Sequence, residues 1–187
     1  VKALDSDRPE VMAFRASVLF KLDDRKAAAA LAKTVLEKDP KNIDALVVLA
    51  SERMAARDAA KAVEYLDVGI DADEKNVTLQ LIKVRALLEL GKPDAVEEIL
   101  RRLIVLNPDT PSFKYSLARF YLAHGKKDKA EAEFRAVVAA NPKDVNAKIE
   151  VVRFLASVQG SKAATAELQA LLSADPGNTE LLFALAG

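Results

Sequence analysis

The chain has 187 residues, 51% of them hydrophobic and 30% charged, with Lys plus Arg and Asp plus Glu balanced at 28 each. That balance excludes a disordered tail. The zero net charge argues against nucleic acid as the partner, because phosphate binding draws on a cationic excess. With no Cys and a single His, a thiolate or zinc site has too few ligands, so no metal or cofactor is expected. No apolar run approaches the ~20 residues of a membrane span.

A fixed period organises the chain. Prolines stand at 40, 108, 142 and 176, and Glu74 holds the one missing step, so the spacing is 34 residues without insertion or deletion. Before Pro9 only the tail of a helix is expected, over 1–5. A first helix is predicted over 9–22, opened by Pro9, whose missing N–H falls among donors that are unpaired anyway. Its partner follows over 26–39. The pattern then repeats as helices over 43–56 and 60–73, and over 77–90 and 94–107, with Gly91 in the turn. Pro111 opens the next pair, 111–124 and 128–141, with Gly125 between them. The last full pair covers 145–158 and 162–175 around Gly160, glycine being suited to the left-handed turn after a helix. Asp94 and Asp128 are placed to cap second helices. After Asn178 part of another first helix begins, with Leu182, Leu185 and Ala186 in frame. Both ends fall inside repeats, so the chain is expected to be part of a longer array. Val1 and Leu4 at one end, and Leu182, Phe183 and Leu185 at the other, would then invite end-to-end self-association.

Numbering each unit so that the proline falls at place 32 aligns further columns. Place 8 reads Ala16, Ala50, Val84, Ala118, Val152, Ala186; place 20 reads Ala28, Ala62, Val96, Ala130, Ala164; place 24 reads Ala32, Leu66, Leu100, Phe134, Leu168. Small and apolar residues recur at helical spacing, as two packed helices per unit require.

These columns resemble the tetratricopeptide repeat (TPR) signature, best in the fourth unit through Leu117, Ala118, Tyr121, Gly125, Ala130, Phe134, Val137 and Pro142. The resemblance covers the whole chain. It implies an all-α, right-handed superhelical solenoid of antiparallel helix pairs. The full repeats would be 9–42, 43–76, 77–110, 111–144 and 145–178, with partial repeats at 1–8 and 179–187, in one array over 1–187. Several places depart from the pattern: Arg15 and Lys83 at place 7, Arg53 at place 11, Gln80 and Lys114 at place 4. We expect their long stems to lie on apolar surface with the polar heads in water. The competing reading is a rotated first helix in which Phe14 and Ile82 fill the site.

Chemistry is sparse. There is no Gly-rich phosphate loop, and His124, beside Gly125 at a helix end, suits the helix dipole better than catalysis. In TPR proteins places 2, 5, 9 and 12 of the first helices face the concave groove. Here place 5 is an apolar row, Ala13, Val47, Leu81, Tyr115, Ile149 and Phe183, while place 9 reads Ser17, Ser51, Arg85, Arg119 and Arg153. The resemblance therefore implies a protein-binding groove centred on Leu81, Arg85, Tyr115, Arg119, Ile149 and Arg153, taking a protein or peptide of acidic character. The competing reading of the arginines is local pairing, Arg85 with Glu89 and Arg153 with Glu150. The Lys and Asn places of the chaperone-binding carboxylate clamp hold Ala13, Ser17, Val48, Ser112 and Ser116, so that clamp is absent. The expected function is a non-catalytic protein–protein interaction scaffold. The alternatives are the repeat region of a larger enzyme, or a structural spacer in a bacterial secretion or polysaccharide-export assembly. The Ala-rich manner of the repeats resembles bacterial TPR arrays, which implies a bacterial periplasm or cytoplasm.

Overall fold

The computed structural model describes the backbone of residues 7–186 and the side chains of 7–184. The described residues form eleven helices and no strand: α1 Pro9–Lys21, α2 Arg25–Lys38, α3 Ile43–Ala55, α4 Ala59–Ala72, α5 Val77–Glu89, α6 Pro93–Leu106, α7 Pro111–Ala123, α8 Lys127–Ala140, α9 Val145–Gln159, α10 Ser161–Ala174 and α11 Thr179–Ala186. The odd-numbered helices begin at 9, 43, 77, 111, 145 and 179, so the 34-residue period of the sequence is reproduced in the backbone.

The chain divides into two compact units, residues 1–106 and 107–187. In the first, α1 packs on α2 and α3, α3 on α4 and α5, and α5 on α6, with α2·α3 and α4·α5 contacts completing the stack. In the second, α7 pairs with α8, α8 meets α9, α9 pairs with α10, and α11 packs on both α9 and α10. The small columns are what permit this. Ala16, Ala28, Ala32 and Ala45 are fully buried in the core of the first two repeats beside Met12, Val35 and Leu49. With only a methyl at these places, helix axes approach closely while the larger neighbours interdigitate.

Repeated polar devices begin the helices. Asn42 and Asn76 accept from the N–H groups of Ala45 and Leu79 at 3.1 and 3.2 Å, Asp144 from Ala147 at 3.0 Å, and Asn178 from Leu181 at 3.1 Å. Each of the three asparagines also donates its amide to an aspartate three residues back, Asp39, Asp73 or Asp175. These caps satisfy donors that an isolated helix leaves open. Before α7 the equivalent residue is Thr110, whose side chain makes no cap. The expectation for second-helix caps needs correcting: Asp94 and Asp128 lie inside the first turns of α6 and α8. Asp24 and Asp58, at the repeat place that holds Lys92 and Lys126 in the third and fourth repeats, accept from Ala27 and Lys61 at 3.2 and 3.1 Å. Helices α6 and α8 start one residue earlier than the sequence suggests, and there a carboxylate favours the positive end of the dipole without capping.

The turns inside pairs demand left-handed backbone. Gly91 and Gly125 supply it at φ 65 and 71, but the equivalent positions in the first two repeats are Asp23 at φ 64 and Arg57 at φ 60. A Cβ is disfavoured there. Arg57→Gly is expected to stabilise the chain by about 0.5–1 kcal/mol. Chemical denaturation checks this, and a loss of stability would contradict it.

The places that break the family pattern resolve individually. Lys83 is largely covered and its Nζ meets Asp67 at 2.5 Å, and Arg53 pairs with Glu52 at 2.6 Å and Asp58 at 3.7 Å, so their heads end in ion pairs rather than in water alone. Phe14 is 68% exposed, which removes the rotated-helix reading of the first repeat, whereas Ile82 is half-buried against the α3–α5 core. Gln80 does not reach water at all. It is 2% exposed, donates to the Glu74 carbonyl at 2.5 Å, and leaves its own Oε1 unbonded among the described residues. Of the apolar ends expected to self-associate, Val1, Leu4 and the Leu185 side chain lie outside the described residues, while Leu182 and Phe183 are exposed on α11.

Candidate functional site

The two units each carry part of the expected site. In the first, Leu81 and Arg85 lie one turn apart on α5, and both are exposed. Leu88, also exposed, continues the same face. Arg85 makes no ion pair among the described residues, and in particular none with Glu89, so the local-pairing reading does not hold for it. It lines a cleft of about 250 Å³ with Phe20 of α1, Ser51, Met54 and Ala55 of α3, and Ile82 of α5. Three neighbouring first helices thus converge on one arginine. Phe20 and Met54 both occupy place 12, a groove place not picked out from the sequence.

In the second unit Tyr115 and Arg119 stand one turn apart on α7, and Ile149 and Arg153 at the matching places of α9. Tyr115 and Ile149 are half-buried, and both arginines are exposed. The Tyr115 ring is held by Phe134 of α8, with centroids 5.7 Å apart and planes tilted by 46°. Phe134 in turn stacks on Phe154 of α9 at 5.1 Å. Burial, followed by the negative charges of Asp144 and Glu150, raises the Tyr115 pKa, and Arg119 opposes them. The phenol therefore remains a protonated hydrogen-bond donor at neutral pH. Arg153 is already engaged: its guanidinium donates to Glu150 at 2.7 Å, as the pairing reading expected. Arg119 makes no ion pair among the described residues.

His124 ends α7 with its Nδ1 at 2.7 Å from the Phe120 carbonyl oxygen, and its ring lies 4.3 Å from the Phe120 ring. With Nδ1 donating to that carbonyl, the imidazole secures the end of the helix.

A family profile described as "Tetratricopeptide repeat" matches residues 15–77 and 83–145, more than half of the chain. The chain belongs to the tetratricopeptide repeat family. TPR proteins generally mediate protein–protein interaction, and the fold is typically a non-catalytic scaffold. Solved TPR structures resemble the chain over nearly its whole length. YrrB, described as a TPR protein with an unusual peptide-binding site, has a TM-score of 0.64 at 18% identity, over 96% of this chain and 93% of that one. MamA protein has a TM-score of 0.67 at 19% identity, over 95% and 96%. A TPR protein from Parabacteroides merdae has a TM-score of 0.58 at 19% identity, over 97% of this chain and 71% of that one. At such identities the likeness establishes the fold alone. No curated protein matches the sequence. Among the described residues no TPR helix is long and apolar enough to cross a membrane.

Proposed function

We propose that the chain is a non-catalytic scaffold that receives an acidic, partly apolar segment of a partner protein on the faces of its first helices. The observation that carries this reading is the state of Arg85 and Arg119. They occupy the same place in consecutive repeats, are exposed, and make no ion pair among the described residues. Each also has an apolar neighbour one turn back, Leu81 or Tyr115. A guanidinium without a carboxylate partner on a face rich in apolar groups is well suited to a carboxylate brought by another molecule. The peptide-binding site named for YrrB supports the reading by analogy. Arg153 contributes less, since Glu150 already neutralises it.

The test is affinity capture of the partner from its native cell, identification by mass spectrometry, and titration of its acidic segment. Arg119→Glu is expected to weaken binding by more than about tenfold, or over ~1.4 kcal/mol, with the helical content unchanged. Raising the salt should weaken the wild-type complex as well, because the Debye length shrinks to about 3 Å at 1 M. Equal affinities for the two proteins, with no response to salt, would show the arginines to be a solvated face.

A further inference from the structure

A second cleft, of about 220 Å³, lies in the unit of residues 107–187 among α8, α9 and α10. Its floor is Val151 of α9, which is buried, and its walls are Val138 and Ala139 of α8 and Leu171 of α10. Lys148 of α9 and the Arg135–Glu167 pair complete the lining. With about 100° between successive residues of a helix, Lys148 and Val151 stand on nearly the opposite face of α9 from Ile149 and Arg153. The cleft is therefore separate from the first-helix face. The repeat places show how it arises. Place 4 holds Met12, Leu46 and Gln80 in the first three repeats, and all three are buried. Lys148 at the same place is only half-buried. Place 7 holds Lys83 in the third repeat, where its Nζ crosses to Asp67 of the preceding second helix. Val151 at that place has no such reach toward Arg135, the counterpart of Asp67, and leaves the space open.

The charges around this space are unevenly placed. Arg135 donates to Glu131 at 2.8 Å and to the two oxygens of Glu167 at 3.0 and 3.1 Å. Two carboxylates thus surround one guanidinium, and that end of the cleft carries net negative charge. Lys148 makes no ion pair among the described residues. Because α9 runs antiparallel to α8 and α10, Lys148 flanks the Ala139 and Leu171 end, and the Arg135–Glu167 pair closes the other. The cleft is smaller than the ~300–1,000 Å³ of pockets that enclose a small molecule, and it matches one side chain in size. An apolar side chain suits its walls, and the one unpaired charge in its lining calls for a carboxylate. We propose that this cleft is a second docking site, on the second-helix side of the repeats, for a partner-protein segment in which one apolar residue is flanked by Asp or Glu. The apolar side chain packs on Val138, Val151 and Leu171, and the carboxylate pairs with Lys148. The negative charge of Glu131 and Glu167 keeps that carboxylate at the Lys148 end. The site does not depend on the first-helix faces.

Three peptides with blocked ends test it: Ser-Glu-Leu-Glu-Ser, Ser-Gln-Leu-Gln-Ser and Ser-Glu-Ser-Glu-Ser. Each is titrated by NMR into the isotopically labelled full chain carrying Arg85→Gln and Arg119→Gln, which removes the unpaired arginines of the first helices. Saturable shifts are expected at Val138, Ala139, Lys148, Val151 and Leu171. Replacing glutamate by glutamine should weaken binding about fivefold, as the loss of one ion pair allows. Replacing leucine by serine should weaken it at least about tenfold, through the lost apolar burial. Lys148→Met should abolish the difference between the glutamate and glutamine peptides without unfolding the chain, since Met12 occupies the same place in the first repeat. Ala139→Phe, at an exposed position on the rim, should block all three peptides with the circular dichroism unchanged. Tighter binding of isocaproate, a free branched acid, than of the first peptide would assign the cleft to a small acid and overturn the proposal. Equal affinities for the glutamate and glutamine peptides, a glutamate preference that survives Lys148→Met, shifts confined to α5 and α7, or no saturable shift at millimolar peptide would overturn it as well. Binding at the first helices is decided separately, by the effect of Arg119→Glu on the captured partner, so either site can fail while the other stands.

Discussion

Phe134→Ala is expected to destabilise the second unit by about 3–5 kcal/mol, the range for removing a buried aromatic ring. Phe134 is 6% exposed on α8, and its ring touches Tyr115 of α7 and Phe154 of α9 at centroid distances of 5.7 and 5.1 Å. One side chain therefore ties three helices of residues 107–187 together. Truncation removes both aromatic contacts and opens a cavity that α8 cannot close without moving away from α7. In a repeat protein stability is carried by each unit and its immediate neighbours, so the loss should be local. With a denaturant slope of about 1–3 kcal/mol/M, the urea midpoint of the affected transition should fall by at least ~1 M. Amide exchange in α1 to α4 should change little. A shift of a few tenths molar, or equal loss of protection in α1 to α4, would contradict this account. The variant also reaches the site: Tyr115 would lose the ring that orients it, and the affinity of the acidic segment should fall even where the protein remains folded.

Gly69→Val is expected to cost about 1–3 kcal/mol, the usual penalty for overpacking a filled core. A Cβ built on Gly69 in α4 would stand 2.8 Å from Leu79 Cδ1 and 3.1 Å from Cδ2. Leu79 on α5 is fully buried, so its methyls cannot swing into solvent. Helix propensity works the other way, since glycine inside a helix is worse than alanine by about 0.8–1.0 kcal/mol. Gly69→Ala should cost less than valine, because the propensity gain offsets part of the close contact that its own Cβ makes with Leu79, while the two further carbons of valine have no room. Pairing Gly69→Val with Leu79→Ala should recover part of the loss, with a coupling energy of about 0.5–3 kcal/mol. Additive effects in that double-mutant cycle, measured by urea denaturation, would show that the close approach does not limit packing.

That pair also explains an irregularity in the sequence. Place 27 holds Val35, Leu103, Val137 and Leu171 in four repeats but Gly69 in the second. The column alone suggests a weak spot. In the structure the space of the missing side chain is occupied by Leu79 from the following repeat, so the volume is conserved between two helices that the sequence separates by ten residues. Gln80 is the opposite case. Its column suggests a surface stem, yet the side chain is buried with an unbonded carbonyl oxygen.

The sequence by itself determined the helices, their pairing and the family. A 34-residue period with small residues at fixed places repeats one packing solution within each of the two units. Helix starts and ends can therefore be read from one-dimensional spacing to within one residue. It also placed Leu81, Arg85, Tyr115, Arg119, Ile149 and Arg153 on the first helices, because a helix converts residue number directly into facing. Only the tertiary structure decided which polar groups are already satisfied. Arg153 is neutralised by Glu150, whereas Arg85 and Arg119 make no ion pair among the described residues, although the sequence offers Arg85 an acid one turn away in Glu89. The tertiary structure alone also brought Phe20, Ser51, Met54, Ile82 and Arg85 to one cleft. The physical reason is that rotamers and helix-to-helix distances depend on the volumes of side chains from different repeats, which no periodicity within a single chain segment encodes.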